Sequence, residues 1–275
     1  MNKIKTDAIL FAAFVFAASV SAAEKTAVMS GVISADGKTV TVKEKSVESV
    51  KPGQSVVVVL NGGSMTVTGT VLEKTGDSSN PDQSNFTGMN AAALASGGTL
   101  VLENVQINTR AEGANAVFST GKNSLVTVKG IKIRTAGNSS RGLDATYGGT
   151  IHASDADITT EGAHCAALAT DRGEGTVTVN GGTVSTSGDG SPVIYSTGTI
   201  SASNLKGKAS GSEIAVIEGK NSITLDECSL QGAGLQGIML YQSFSGDAGE
   251  GTSVFTAKNS SFTSSSSGPF FYVTN

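Results

Sequence analysis

Apolar and polar positions follow one order again and again along this chain: apolar, any, apolar, two polar, small or apolar, any, apolar. The segment VTVKGIKI from Val126 is an example. The nine units of this pattern begin at Val40, Met65, Leu100, Val126, Ile151, Val177, Ile200, Ile223 and Phe255. Their spacings are 25, 35, 26, 25, 26, 23, 23 and 32 residues. Short strands repeated at such a period predict a solenoid, in which each repeat buries its apolar side only against its neighbours.

Each unit contains two short strands joined by a corner. Alternation of apolar and polar positions predicts strands with one buried face. The corner position holds residues that tolerate positive φ, namely Gly69, Asn104, Gly130, Asp155, Gly181, Asn204 and Asn259. Glu44 and Glu227 depart from this column, and we expect them to distort their corners. A third apolar run, such as residues 143–145, separates successive units. We therefore predict an all-β fold, a right-handed parallel β-helix of about nine rungs.

Composition supports one elongated β domain. The chain has 35 Gly, only 4 Pro and no Trp, which suits many short strands and tight turns. After the N-terminal segment no 18-residue apolar stretch occurs, so the sequence predicts no ordinary transmembrane helix. We expect residues 24–275 to form a single β-solenoid domain.

The N-terminus has the pattern of a secretory signal peptide. Lys3 and Lys5 precede an apolar run over residues 8–20 and then small residues, which predicts a signal peptide of residues 1–23, cleaved after Ala23 or Ala22. Its removal takes two of 19 basic and one of 23 acidic residues, which leaves a net charge of about −5. A mildly acidic chain without basic clusters predicts no binding to nucleic acid or anionic lipid.

The two cysteines are predicted to stay unpaired. Cys165 and Cys228 belong to rungs two apart, about 9.6 Å along the axis, whereas a disulfide needs Cα atoms within about 7 Å. Both are expected to be small buried hydrophobes. A metal pair with His152 or His164 is the alternative, but His152 points outward from its strand, so we predict no metal and no cofactor.

An outward column of β-branched residues is the first candidate interaction surface. Its principal members are Thr41, Thr66, Thr127, Thr178 and Thr224. Such a face resembles that of ice-binding solenoids, yet Val101 and His152 interrupt it. Threonine is also simply a favoured residue on the solvent side of a strand, and that interpretation is preferred.

Two insertions are the second candidate surface. They cover residues 73–88 and 242–252 and are expected to leave the solenoid as loops, where recognition usually occurs. The candidate residues in them are Asp77, Asp82, Phe86, Asp247 and Glu250. The acidic residues have no regular Ca²⁺-ligand spacing, so their expected role is solvation.

The chain combines a signal-like N-terminus, irregular 23–26-residue rungs rich in Ser, Thr and Gly, and very little cysteine. In these features it resembles the passengers of Gram-negative autotransporters, especially the pertactin-like adhesins. The resemblance implies a non-enzymatic protein that is secreted or displayed on the outer-membrane surface. It also implies attachment to glycans or proteins of a host or neighbouring cell, or self-association end to end or side by side. Such proteins carry a C-terminal translocator that is not visible here, so we expect either a longer passenger or a partner that covers the apolar end.

Two other functions remain open for a β-helix. One is carbohydrate binding without catalysis, and the other is cleavage of polysaccharides by a lyase or glycosidase. Cleavage needs a cluster of carboxylates on one face, but Asp144, Asp157 and Asp171 fall in no matching columns of adjacent rungs. Arg141 and Arg172 are expected to be scattered near corners. The sequence therefore predicts no catalytic residues.

Overall fold

The strands stack in two long parallel sheets. The computed structural model describes residues 29–243 and 246–274, and the predicted signal peptide lies outside them. Sheet A is formed by β1 (Gly31–Asp36), β4 (Ser55–Leu60), β7 (Ala93–Ser96), β9 (Val117–Thr120), β11 (Leu143–Thr146), β13 (Leu168–Thr170), β15 (Ile194–Ser196), β17 (Ala215–Glu218), β20 (Ile238–Tyr241) and β23 (Phe271–Thr274).

Sheet B contains the repeated pattern. Its strands are β2 (Thr39–Lys43), β3 (Ser46–Ser49), β5 (Ser64–Thr68), β6 (Val71–Lys74), β8 (Thr99–Thr109), β10 (Leu125–Thr135), β12 (Thr150–Thr160), β14 (Thr176–Thr186), β16 (Thr199–Ala209), β18 (Ser222–Asp226), β19 (Ser229–Gly232), β21 (Val254–Lys258) and β22 (Ser261–Ser264). The helix α1 (Pro81–Thr87) lies in the first insertion. The chain is thus a parallel β-solenoid, and the predicted fold class is confirmed.

The register of sheet B agrees with the sequence pattern at every unit. The first residues of the nine units are paired in order, from Val40 with Met65 through Val126 with Ile151 to Ile223 with Phe255. Because a shift of one residue would expose the entire apolar set, burial of one face fixes this register.

The corners are more uniform than predicted. All seven Gly, Asn and Asp positions of the corner column have positive φ, and Glu44 and Glu227 have it too, at 46° and 53°. The backbone N–H of Glu44 still donates to Thr68 at 3.0 Å, as the rung spacing requires. The prediction that glutamate distorts these corners is therefore wrong. The ladder hydrogen bonds on both sides outweigh the cost of the left-handed conformation, about 1–2 kcal/mol.

The first insertion does not leave the solenoid as a loop, which corrects the prediction for residues 73–88. Its helix α1 begins after Asn80, whose side chain accepts a hydrogen bond from the Gln83 backbone, and it ends at Gly88 with φ of 74°. A Cβ on Gly88 would lie 2.4 Å from the Phe118 ring. Glycine thus lets the insertion lie directly on the outer face of sheet A, where it covers Leu94 and Phe118.

Both cysteines are free and buried, as predicted. The Cys165 thiol contacts the Gly137 and Ala163 carbonyl oxygens at 3.2 and 3.1 Å, and burial raises the pKa of Cys165 to about 11. Burial also raises the pKa of Cys228. Since the thiolate is the reactive form, neither cysteine should react with iodoacetamide in the native protein.

We expect both thiols to be alkylated once the protein is unfolded, without prior reduction. Mass spectrometry of native and urea-unfolded samples checks this. A peptide linked through the two cysteines would contradict it, and so would rapid native labelling of either one.

Candidate ligand-binding cleft

A cleft of about 400 Å³ lies on the outer face of sheet A, between the two insertions. We call it the insertion cleft. It is lined by Asn85, Phe86, Ser139, Arg141, His164, Ala166, Asp171, Gly190, Pro192, Tyr195, Tyr241 and Asp247. The lining comes from both insertions, from the three consecutive rungs of β11, β13 and β15, and from Tyr241 of β20, so the stacking of the solenoid brings together residues more than 160 positions apart (Asn85 to Asp247). A concave site with aromatic walls and a few converging polar groups is the usual form of a small-ligand site.

Arg172 joins the two insertions at one side of the cleft. Its guanidinium carbon lies 3.7 Å from the centroid of the Phe86 ring, in a cation–π contact with the first insertion. Its Nη2 and Nε atoms lie 2.6 and 2.8 Å from Oδ1 of Asp247 in the second insertion. The hydrogen bond to Asp247, opposed by slight desolvation, raises the pKa of Arg172. This single side chain therefore fixes the separation of both insertions.

Arg141 lies in the floor of the cleft between two aspartates. Its Nη1 atom is 3.6 Å from Oδ2 of Asp144, and its Nη2 atom is 3.0 Å from Oδ2 of Asp171. Nη1 also donates to Oδ1 of Asn85 in the first insertion at 3.1 Å. The Arg141 side chain is only 11% exposed, and the two carboxylates offset its desolvation and raise its pKa. A buried guanidinium needs such partners on several sides.

A buried amide holds the Arg141 backbone in place. Oδ1 of Asn115 accepts a hydrogen bond from the Arg141 N–H at 2.8 Å, and Nδ2 of Asn115 donates to the Ser84 carbonyl of α1 at 3.0 Å. The first insertion, the preceding rung and the floor of the cleft are therefore connected through one side chain. Such a connected polar network positions its members rigidly.

Asp144 is a buried carboxyl group with few stabilising contacts. It projects from the outer face of β11, in register with Phe118 on one side and Ala169 on the other. Neither of its carboxyl oxygens has a hydrogen-bond partner. Burial raises the pKa of Asp144 to about 7, although Arg141 opposes the shift. Burial also raises the pKa of Asp171, again against Arg141. The Asp144 carboxyl group therefore retains part of its proton near neutral pH.

We predict that protein stability falls as pH rises from about 4 to about 7. A carboxyl group whose pKa is raised on folding binds its proton more tightly in the native state, so its contribution is complete below the unfolded pKa and is lost through the folded pKa. For Asp144 the loss is on the order of 4 kcal/mol, at about 1.4 kcal/mol per pKa unit. The Asp144→Asn variant should show a flatter profile and exceed the wild type in stability at pH 8.

Urea denaturation at pH 4, 6 and 8 measures this effect. Asp157→Asn is the matched control, because Asp157 is exposed on sheet B and accepts one hydrogen bond from Thr183. Parallel pH profiles for the wild type and Asp144→Asn would contradict the assignment of the retained proton to Asp144.

Two tyrosines form the far wall of the cleft, and both contact a buried glutamate. The hydroxyl groups of Tyr195 and Tyr241 donate to Oε2 of Glu218 at 2.5 and 2.9 Å, and the Ser243 hydroxyl donates to Oε1. Burial, followed by the nearby negative charges, raises the pKa of Tyr195 and raises that of Tyr241 to about 12. Both phenols are therefore protonated donors that are directed at Glu218, which leaves their ring faces to form the wall.

The structure divides the predicted site residues between different surfaces. Phe86 and Asp247 meet in the insertion cleft through Arg172. Asp77, Asp82 and Glu250 are exposed outside its lining, and Oδ1 of Asp77 accepts a hydrogen bond from the Glu112 backbone at 2.9 Å. The threonine column forms on the outer face of sheet B, with Thr41 beside Thr66 and with His152 between Thr127 and Thr178.

Sequence reasoning did not find the principal residues that line the cleft or contact its lining, which are Arg141, Asp144, Asp171, Arg172, Tyr195, Glu218 and Tyr241. The prediction that Arg141 and Arg172 are scattered is wrong, since both contact this site. The absence of matching carboxylate columns is correct but did not exclude a cluster, because one arginine spans Asp144 and Asp171. A usable signal was Asp144 itself, a charge in the middle of a buried apolar run.

Within residues 29–243 and 246–274, no helix is long and apolar enough to cross a membrane. Across the same ranges, no group of three or more His, Cys, Asp or Glu side chains is placed to hold a metal ion. Comparison with known proteins found no match to this chain among protein-family models, curated proteins or solved structures.

Proposed function

We propose that this chain is a non-enzymatic, secreted or cell-surface β-solenoid of the adhesin type that attaches to surface glycans through the insertion cleft. The observation that carries the proposal is the cleft's combination of aromatic faces with fixed polar groups, Phe86 and Tyr195 around Arg141 and Asp171. Pyranose rings present flat C–H faces to aromatic side chains and hydroxyl groups to polar ones, and a few such groups fix ligand orientation. The signal-like N-terminus and the resemblance to autotransporter passengers support the location.

The carboxyl groups support binding rather than catalysis. An acid catalyst must reach the glycosidic oxygen, whereas both carboxyl oxygens of Asp144 are buried below Arg141. Asp171 lines the cleft but is held by Arg141 and by the Arg172 backbone N–H at 2.9 Å. A reducing-end assay on the bound glycans is therefore expected to detect no cleavage.

A glycan array with the mature chain tests the proposal. We expect Phe86→Ala to abolish binding of the recognised glycans, because it removes one wall and the cation–π contact that holds Arg172. The double variant Thr127→Ala/Thr178→Ala, on the outer face of sheet B, is the control and should bind normally. Loss of binding in the threonine variant alone would transfer the site to the other sheet and refute the proposal. Failure of every glycan to bind the wild-type chain would also refute the proposal.

Self-association is a second candidate function, favoured by the apolar surface of the last rung. Phe271 and Val273 continue the inward columns of Ile238 and Leu240, yet they are 55% and 71% exposed. A strand that exposes such side chains is a template for pairing with another chain. Analytical ultracentrifugation of the mature chain should detect oligomers that Phe271→Lys/Val273→Lys dissociates. Tyr272→Lys, which faces outward from the same strand, is the control.

A further inference from the structure

The charged groups at the insertion cleft are not balanced. Two guanidinium groups and four carboxyl groups line the cleft or contact the side chains that line it. The guanidinium groups belong to Arg141 and Arg172. The carboxyl groups belong to Asp144, Asp171, Glu218 and Asp247. Acidic side chains thus outnumber guanidinium groups at a site whose lining also includes the rings of Phe86, Tyr195 and Tyr241.

Both guanidinium groups are already engaged by the protein. Arg141 contacts the carboxyl groups of Asp144 and Asp171, and Arg172 contacts Asp247 and the Phe86 ring. An anionic ligand such as a uronate would have to displace one of these carboxylates from its arginine. It would also lie close to the remaining carboxyl groups, where like charges are unfavourable at short range. The site is therefore unsuited to acidic sugars.

A cation finds the opposite environment. Asp171 and Asp247 line the cleft, and the rings of Phe86, Tyr195 and Tyr241 form its walls. Carboxylates and aromatic faces both attract ammonium groups, and the attraction grows where water is excluded.

We propose that the glycan taken by the insertion cleft is an amino sugar with a free, protonated amine, such as a β-linked glucosamine unit. This inference rests on the proposed glycan binding and names the substrate class of that same cleft. The pyranose face packs on the aromatic walls, while the ammonium group is attracted by Asp171 and Asp247. A lysine-rich peptide carries the same ammonium group but lacks the flat pyranose face, so it is a separate outcome of the test.

Isothermal titration calorimetry with four probes tests the inference. The probes are the hexamers of β-1,4-glucosamine, of β-1,4-N-acetylglucosamine and of galacturonic acid, and hexalysine. At pH 6.5 we expect the glucosamine hexamer to bind about tenfold more tightly than its N-acetylated form, and this preference to shrink at high salt. The galacturonate hexamer should not bind, and hexalysine should bind more weakly than the glucosamine hexamer.

The Glu218→Gln variant tests whether a single negative charge beside the cleft strengthens binding of the amino sugar. Glutamine still accepts the hydrogen bonds of Tyr195 and Tyr241, but the negative charge is removed. We expect it to weaken binding of the glucosamine hexamer about threefold to tenfold and to leave that of the N-acetylated hexamer unchanged. Glu161→Gln, an exposed acid that pairs with Arg134 outside the cleft lining, is the control and should change neither affinity.

The outcomes separate this inference from the proposed function. Equal affinity for the two glucosamine-based hexamers, lost in Phe86→Ala, would overturn the amino-sugar inference and leave glycan binding in place. Preference for galacturonate, or hexalysine binding as tight as that of the glucosamine hexamer, would also overturn it. If glycans of every class fail to bind, the proposed function fails as well.

Discussion

The Val128→Asp variant is expected to lose several kcal/mol in free energy of unfolding and to be largely unfolded in the middle rungs. Val128 is 1% exposed and lies between Leu102 and Ala153 of the neighbouring rungs. A carboxylate at this position has apolar neighbours above and below and no cation, so its charge is uncompensated. Because each rung packs only on its neighbours, the damage extends along the solenoid.

Urea denaturation followed by circular dichroism measures this loss. Thr127→Asp is the matched control, because Thr127 is the adjacent residue of the same strand but is exposed. Its change should stay within about 0.5 kcal/mol. Equal stability of the two variants would show that Val128 does not face the interior.

The Arg141→Met variant is expected to lose about 3–5 kcal/mol at pH 8, because it leaves Asp144 and Asp171 buried without their shared counter-charge. Methionine preserves most of the volume, so the loss reports the charge rather than a cavity. At pH 5 the loss should be much smaller. Burial already raises the pKa of both carboxyl groups, and loss of Arg141 raises each further, which favours their neutral forms at the lower pH.

Arg134→Met is the control for this prediction. Arg134 pairs with Glu161 at 3.3 Å, but its side chain is 67% exposed, so the change should cost less than about 1 kcal/mol at either pH. Thermal melts of both variants at pH 5 and pH 8 provide the comparison. An Arg141→Met variant with the same loss at both pH values would contradict the charge argument and indicate a packing defect.

Sequence reasoning predicted the solenoid correctly because its repeat is a local property. The alternation of Val126 and Val128 predicts the buried face of the strand, and Gly130 predicts the turn at the corner. Each following unit has the same pattern, so aligning the units predicts which residues pair between neighbouring strands. The unpaired state of Cys165 and Cys228 followed from the same rung count.

The sequence predicted where the insertion over residues 73–88 lies along the chain, but it did not predict that the insertion packs on sheet A. Its polar composition indicates a solvated loop, yet Ser84 and Gly88 are buried against the solenoid. The reason lies in a different rung, where the apolar side chain of Phe118 projects outward from sheet A and is buried by the insertion. The residues of the insertion by themselves do not indicate that an apolar side chain lies on the outer face of sheet A.

The sequence by itself determined the architecture, the register of the nine units, the inward columns and the existence of the two insertions, because these depend on residues a few positions apart and on a repeat. The tertiary structure alone decided that Phe86, Arg172 and Asp247 meet, and that Arg141 lies between Asp144 and Asp171. Stacking places residues from distant rungs on one face, and burial there changes the chemistry of their carboxyl groups. The contacts between distant rungs and the burial of these carboxyl groups do not follow from the order of residues along a single strand.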